Sequence, residues 1–374
     1  MQTSKPHTPR TTSKTARQLL TLGLLCTLTA ATGLAEAANF TITGLGKYAY
    51  GINNSGQVVG NNSIHAFMYS NGSMQDLGTL GGKYSSAHGI NDSGLAAGYA
   101  YNLVGYVTSQ HAFLYSNGSM QDLGTLGGYN SFAYGLNNSG QVVGHADTTI
   151  GANSFNNKHA FLYSNGSMRD LGTLGGTHSI AYGINNSGQV VGEARTGNGY
   201  DHAFLYSNGS MQDLGTLGGS YSYAYGINNS GQVVGQARTG NNQSHAFLYS
   251  NGSMQDLGTL GGSQSSAYGI NDIGQVVGSS SIANGATHAF LYSNGSMTDL
   301  SLAVAATGWT LREARDINDL GQIVGQGINP NGQSQAFLLT PLEDTPTPVP
   351  AAAWLLGSGL AGLIGLRRRT NNAA

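Results

Sequence analysis

Six histidines and six aspartates recur at matching places along this chain, and they are the side chains best equipped for chemistry. His65, His111, His159, His202, His245 and His288 each open a His-Ala-Phe triplet, and Asp76, Asp122, Asp170, Asp213, Asp256 and Asp299 each precede a leucine. Imidazole and carboxylate together suit metal binding or acid–base catalysis. The repetition argues against both. Equivalent residues on separate repeats are too far apart to share an ion unless they line an axis, and one residue per repeat does not build a single asymmetric active site. The expected role is a hydrogen bond between the His and Asp of one unit, since enclosed polar groups need partners. No Gly-x-Ser-x-Gly elbow, His-Glu-x-x-His pair or phosphate loop appears. No catalytic, metal or cofactor residue is therefore expected.

These residues belong to a unit that recurs seven times. It reads Ala-Tyr-Gly-Ile-Asn-Asn-Ser-Gly-Gln-Val-Val-Gly, a variable stretch, then His-Ala-Phe-Leu-Tyr-Ser-Asn-Gly-Ser-Met-Gln-Asp-Leu-Gly-Thr-Leu-Gly-Gly. The Asn-Asn/Asp-x-Gly turns start at Asn53, Asn91, Asn137, Asn185, Asn228, Asn271 and Asn318, and a seventh triplet, Gln335-Ala336-Phe337, has lost its histidine. Triplet spacings are 46, 48, 43, 43, 43 and 47 residues. A fixed period in this range marks a repeat architecture.

One copy shows the local structure. Tyr223–Ile227, Gln232–Gly235, His245–Tyr249 and Ser253–Leu257 are short runs of strand formers. Asn228–Gly231 and Ser250–Gly252 are turns, the second an Asn-Gly hairpin needing positive φ twice. Four short strands per period predict an all-β fold, a seven-bladed β-propeller of four-stranded blades, with a β-solenoid as the alternative. Residues 40–44 stand where a fourth strand belongs, while the last unit stops after its third. The N-terminal strand is therefore expected to close the ring and complete a seventh blade with residues 311–340, which removes exposed sheet edges.

If the first strand of each unit is innermost, the Asn-Asn-Ser-Gly and Ser-Asn-Gly turns share one face. The loops after Val-Val-Gly and the Gly-Thr-Leu-Gly-Gly connectors share the other. Those loops vary in length, so a ligand is expected on that face around the axial mouth, met by Tyr99, Tyr101, Tyr106 and Tyr200. Asn-Gly-Ser is also a glycosylation sequon at Asn71, Asn117, Asn165, Asn208, Asn251 and Asn294, but the turn chemistry explains these residues.

Composition bounds the partners. Residues 38–340 carry eight Lys/Arg against fourteen Asp/Glu, a net of about −6, with no basic patch for nucleic acid. The single cysteine, Cys26, lies in the apolar run 19–34 that follows Lys5, Arg10, Lys14 and Arg17. That pattern, ending in Ala35-Glu36-Ala37, predicts a secretory signal over residues 1–37, with an uncleaved anchor as the alternative. Cleavage leaves no cysteine and hence no disulfide or thiol chemistry. Residues 341–350 form a Pro/Thr linker. Residues 351–374 hold a sixteen-residue apolar run and an arginine-rich end, a membrane helix slightly short for a bilayer core of about 30 Å.

Pro348-Val349-Pro350, Ala-Ala-Ala-Trp-Leu and Arg367-Arg368-Arg369 make this tail resemble the PEP-CTERM sorting signals, with Val349 where the name-giving glutamate stands. The resemblance implies recognition by an exosortase, tail removal, only transient membrane contact, and delivery to the cell surface or extracellular matrix. The array, by its His-Ala-Phe and Gly-Ile-Asn blocks, resembles the HAF-family extracellular repeats. The expected function is a non-enzymatic matrix or adhesion scaffold. A lectin-like polysaccharide-binding propeller is the alternative, and an exopolysaccharide-processing enzyme a more distant one.

Overall fold

The computed structural model describes residues 40–104, 107–149 and 157–342. The signal segment, most of the linker, the tail with Pro348–Pro350 and Arg367–Arg369, and Tyr106 lie outside the described residues. Strands pair into seven antiparallel sheets of four, ordered as blades of a β-propeller. Blade 1 is Tyr48–Ile52, Val58–Asn61, Ala66–Ser70 and Ser73–Asp76. Blades 2 to 6 repeat this plan through Asp299.

Blade 7 is made from both ends. Thr310–Ile317, Ile323–Ile328 and Ser334–Pro341 supply three strands. Phe40–Gly44 supplies the fourth, paired from Phe40 opposite Pro341 to Gly44 opposite Phe337. Elsewhere the triplet phenylalanine faces the repeated aspartate, as Phe67 faces Asp76 and Phe290 faces Asp299. Gly44 therefore fills the aspartate's slot in blade 7. Gln335, in the histidine's slot, instead donates from Nε2 to the Leu45 carbonyl at 2.9 Å. Histidine and aspartate are lost together, as members of one pair would be.

The core lies between blades. Each apolar cluster joins two neighbours: Val59, Ala66 and Leu77 of blade 1 pack on Ala87, Ala96 and Phe113 of blade 2. The seven triplet phenylalanines are fully buried, each stabilising by roughly 1.5–3 kcal/mol. Val-Val-Gly fits this core because an added Cβ on Gly60 would strike the Tyr48 carbonyl.

The hairpin turns have the expected backbone, with Asn251 at φ 53° and Gly252 at φ 79°. Two details depart from the sequence reading. The first strand of blade 5 begins at Gly218 rather than Tyr223, because Gly218 pairs with Thr239 across an irregular register. The last connector, which lacks Gly-Thr-Leu-Gly-Gly, forms a short helix at Leu300–Ala303, N-capped by Asp299. Among the described residues no helix is long and apolar enough to cross a membrane.

Candidate functional site

The repeated histidines and aspartates pair within blades. Each His Nδ1 lies 2.7–2.8 Å from the Oδ2 of its own aspartate. The aspartate's other oxygen accepts the N–H of the residue two positions on, Gly78 in blade 1 and Ser301 in blade 6. The pair thus pins the chain where it leaves one blade for the next. Burial works against the Asp76 and Asp122 carboxylates, but His65 and His111 and the glycine N–H groups hold both below the ordinary range. Among the described residues no three His, Asp or Glu side chains converge as a metal set.

The axis is built in layers. At the turn face, each first asparagine donates from Nδ2 to the backbone carbonyl of its counterpart in the next blade. The bonds run from Asn53 to Asn91 and onward to Asn318, which returns to Asn53, at 2.9–3.1 Å. A second closed ring runs through the next residue. Each backbone N–H there, from Asn54 and Asp92 to Asp319, donates to the following blade's side-chain Oδ1. The sequence showed these turns recurring, but a bond between repeats has no signature within one repeat.

Above a layer of isoleucines and one leucine, the first strands nearly touch. Six blades carry glycine there, and a Cβ on Gly135 would approach the Tyr182 carbonyl to 2.8 Å. Blade 7 carries Asp316, whose Oδ2 accepts the Ile52 N–H at 3.0 Å. Burial pushes this carboxyl up to about 7, against the pull of the Ile52 and Ile317 amides.

Toward the variable-loop face stands a belt of seven equivalent residues: Tyr50, His88, Tyr134, Tyr182, Tyr225, Tyr268 and Arg315. Neighbouring rings lie 4.4–5.6 Å apart between centroids. The Arg315 guanidinium sits 4.7 Å from the centre of Tyr268 and is held by Glu313 at 2.8 Å. The belt encloses a cavity of about 420 Å³.

Two residues earlier on each first strand stand Tyr48, Ser86, Phe132, Ile180, Tyr223, Ser266 and Glu313. Opposite them on the second strand are Asn61, Tyr99, His145, Glu193, Gln236, Ser279 and Gln326. Between these variable positions the blade-facing residues are the same in every copy: alanine from Ala49 to Ala314, glycine from Gly60 to Gly325. These two register positions above the belt thus vary between copies, as the loops beyond them do.

The funnel is electrostatically uneven. Burial pushes Tyr50 and Tyr223 up to about 12. Burial, with the Arg315 charge, lowers His88 to about 4. Burial and Lys158 lower His145 to about 3; among the described residues its Nδ1 has no hydrogen-bond partner, and its ring stacks 4.8 Å from Phe132. Glu193 is raised to about 7 by burial, with Lys158 opposing. Both histidines are therefore neutral at pH 7, and Glu193 is half protonated.

Of the tyrosines expected at the mouth, Tyr99 lines the funnel between His88 and Phe132, at 5.5 and 5.0 Å. Tyr101 packs edge-on against Tyr84, and Tyr200, 44% exposed, against Tyr221. The belt itself was missed. Its signal was the Ala-Tyr-Gly-Ile block, which reads as an ordinary strand until seven copies surround one axis.

Solved structures with similar folds include TolB from Acinetobacter baumannii, at 13% identity and a TM-score of 0.41 over 75% of this chain and 60% of that one. A puromycin-hydrolyzing peptidase from Mycobacterium tuberculosis matches at 11% identity and a TM-score of 0.42, over 75% of this chain and 48% of that one. A triple arginine mutant of AofleA from Arthrobotrys oligospora matches at 11% and 0.33, over 70% of this chain and 90% of that one. The chain thus spans under two thirds of the first two. A comparison with curated proteins returns no match. A family model described as a protein of unknown function, DUF3466, matches residues 78–174 and 176–340, most of the propeller, and the chain belongs to that family.

Proposed function

We propose that this propeller is a non-catalytic saccharide-binding protein that takes part of a polysaccharide into its axial funnel. The observation that carries this reading is where the repeats differ. Copies that share their buried alanine, glycine and phenylalanine positions diverge at two strand positions above the belt as well as in the loops beyond them, and a single asymmetric ligand on the axis needs such divergence. The wall is rich in tyrosine, whose flat faces stack on sugar rings while hydroxyl and amide groups meet sugar hydroxyls. A scaffold role for the outer surface is compatible, since the repeated edges need no ligand. The N-terminal signal pattern and the PEP-CTERM-like tail support action at the cell surface or in the extracellular matrix after exosortase processing.

Binding of the purified protein to a glycan array tests this. Tyr182→Ala and Tyr225→Ala remove adjacent rings of the belt, and each is expected to weaken binding at least tenfold. No binding to any glycan at millimolar concentration would overturn the reading. A second reading rests on Glu193, whose carboxyl near 7 suits a general acid in polysaccharide cleavage. Turnover of a bound oligosaccharide that disappears in Glu193→Gln would favour it.

A further inference from the structure

Blades 4 and 5 carry the same arginine in the same place with different company. In blade 4, Arg195 faces Asp201 across the sheet, with Nη1 3.2 Å from Oδ2, and His178 closes on the same carboxylate at 3.1 Å. Arg195 and Asp201 neutralise one another there, and His178 contacts the same carboxylate. In blade 5, Arg238 occupies the matching register, but the residue opposite is Ser244. Tyr221 replaces His178. Among the described residues Arg238 has no carboxylate partner; its Nη1 donates to the Asn242 carbonyl and Oδ1 at 2.7 and 3.0 Å, which fixes the guanidinium without neutralising it.

What replaces the counter-ion is space. A cavity of about 350 Å³ opens beside Arg238, lined by Tyr221, Tyr223, Gln236 and Ser244. A second bay of about 630 Å³ lies on blade 6, where Ser266, Ser279 and Ser281 stand at positions that carry Tyr223, Gln236 and Arg238 in blade 5, and Tyr268 is part of the wall. A hydrogen bond from Ser266 Oγ of the bay to Gln236 Oε1 of the cavity links their two linings.

We propose that this blade 5–6 cleft is a subsite for a uronic-acid unit of a polysaccharide, its carboxylate on Arg238, its ring against Tyr223 and its hydroxyls on the serines and Gln236. The assignment rests on the saccharide reading above and adds its charge class. A guanidinium fixed in place matches a planar carboxylate with two parallel hydrogen bonds. The same group in blade 4 already receives that carboxylate from Asp201, so the protein itself shows what the position accepts.

Calorimetry with the purified protein tests the subsite, comparing an oligouronate with the same oligosaccharide after carboxyl reduction. The oligouronate should bind at least tenfold more tightly at low salt, and the advantage should shrink as salt rises. Arg238→Gln should erase the advantage, and Arg195→Gln should leave it intact. Ser244→Asp installs the counter-ion that blade 4 tolerates, and it should also erase the advantage in a protein that still folds. Equal binding of the charged and neutral oligosaccharides would overturn the subsite while leaving the saccharide reading standing. Binding of neither would overturn both. Competition by inorganic sulfate at equal concentration as strong as by the oligouronate would show a bare anion site and overturn the sugar assignment.

Discussion

Asn185 tests what holds the ring together. It is 3% exposed and uses its whole side chain. Oδ1 accepts the N–H groups of Ser187 and Gln189 at 3.1 and 3.0 Å, closing the local turn. Nδ2 donates to Gln189 Oε1 at 2.8 Å and to the Asn228 carbonyl of the next blade at 3.1 Å. Asn185→Ala deletes four hydrogen bonds, of which the one to the Asn228 carbonyl is buried. At about 1 kcal/mol net for each bond, the loss is about 4 kcal/mol, a large share of the ~5–15 kcal/mol that stabilises a folded domain. Asn91 provides the control, because Leu95 stands where the other copies have glutamine. Asn91 keeps the bond to Asn137 and the two turn bonds, but has no side-chain amide partner of its own. Asn91→Ala should therefore cost about 1 kcal/mol less than Asn185→Ala. Urea unfolding followed by far-ultraviolet circular dichroism measures both. A loss below about 1 kcal/mol for Asn185→Ala would refute the claim that the asparagine ring carries inter-blade stability, and equal losses for the two variants would refute a contribution from the Gln189 amide bond.

The remaining predictions concern the seventh blade and acid. An added Cβ on Gly44 would lie 2.9 Å from Gln335 Nε2, so Gly44→Asp alone should destabilise; combined with Gln335→His it should rebuild the pair of the other blades, with a coupling of about 1 kcal/mol in a double-mutant cycle. His145, 8% exposed, has a folded pKa of about 3 against 6.5 when unfolded, so its contribution is present above 6.5 and is lost as pH falls toward 3. Relative to His145→Phe, the native protein should lose about 2 kcal/mol between pH 7.5 and pH 5 by thermal unfolding; parallel pH profiles would contradict the buried neutral imidazole.

The legible part of this protein was whatever recurs along the chain. Period, strand count and the missing fourth strand at the C-terminal end fix a closed seven-bladed ring without reference to any contact. The pairing of His245 with Asp256 was legible too, because both stand in one blade and both repeat. The asparagine rings and the aromatic belt were not. Each is formed by seven residues that never approach one another within a repeat, and only the curvature of the ring brings Tyr182 beside Tyr225. The sequence expectation for a ligand looked to long loops, because length is the visible difference between copies. The structure moves attention to single substitutions inside the first strands, such as Ile180, Tyr223 and Ser266 at one register position.

Symmetry and its breaking separate two tasks here. Residues alike in all copies, such as the first asparagine and the triplet phenylalanine, meet the neighbouring blade or their own turn, and a ring of equal blades imposes the same demand seven times. A side chain facing the axis meets no such demand, because the axis is common to all blades and each contributes one residue to a shared lining. Divergence there leaves the alanine and glycine positions behind it unchanged. It lets Arg315, Glu193 and His145 stand at different bearings around the axis, while alanine and glycine behind them keep the blades in register. A ring assembled from identical copies could offer its axis only a ligand with matching symmetry. The seven residues above the belt, of five different types, remove that restriction, and they make the funnel rather than the repeated outer edges the place where recognition of an asymmetric molecule is to be sought.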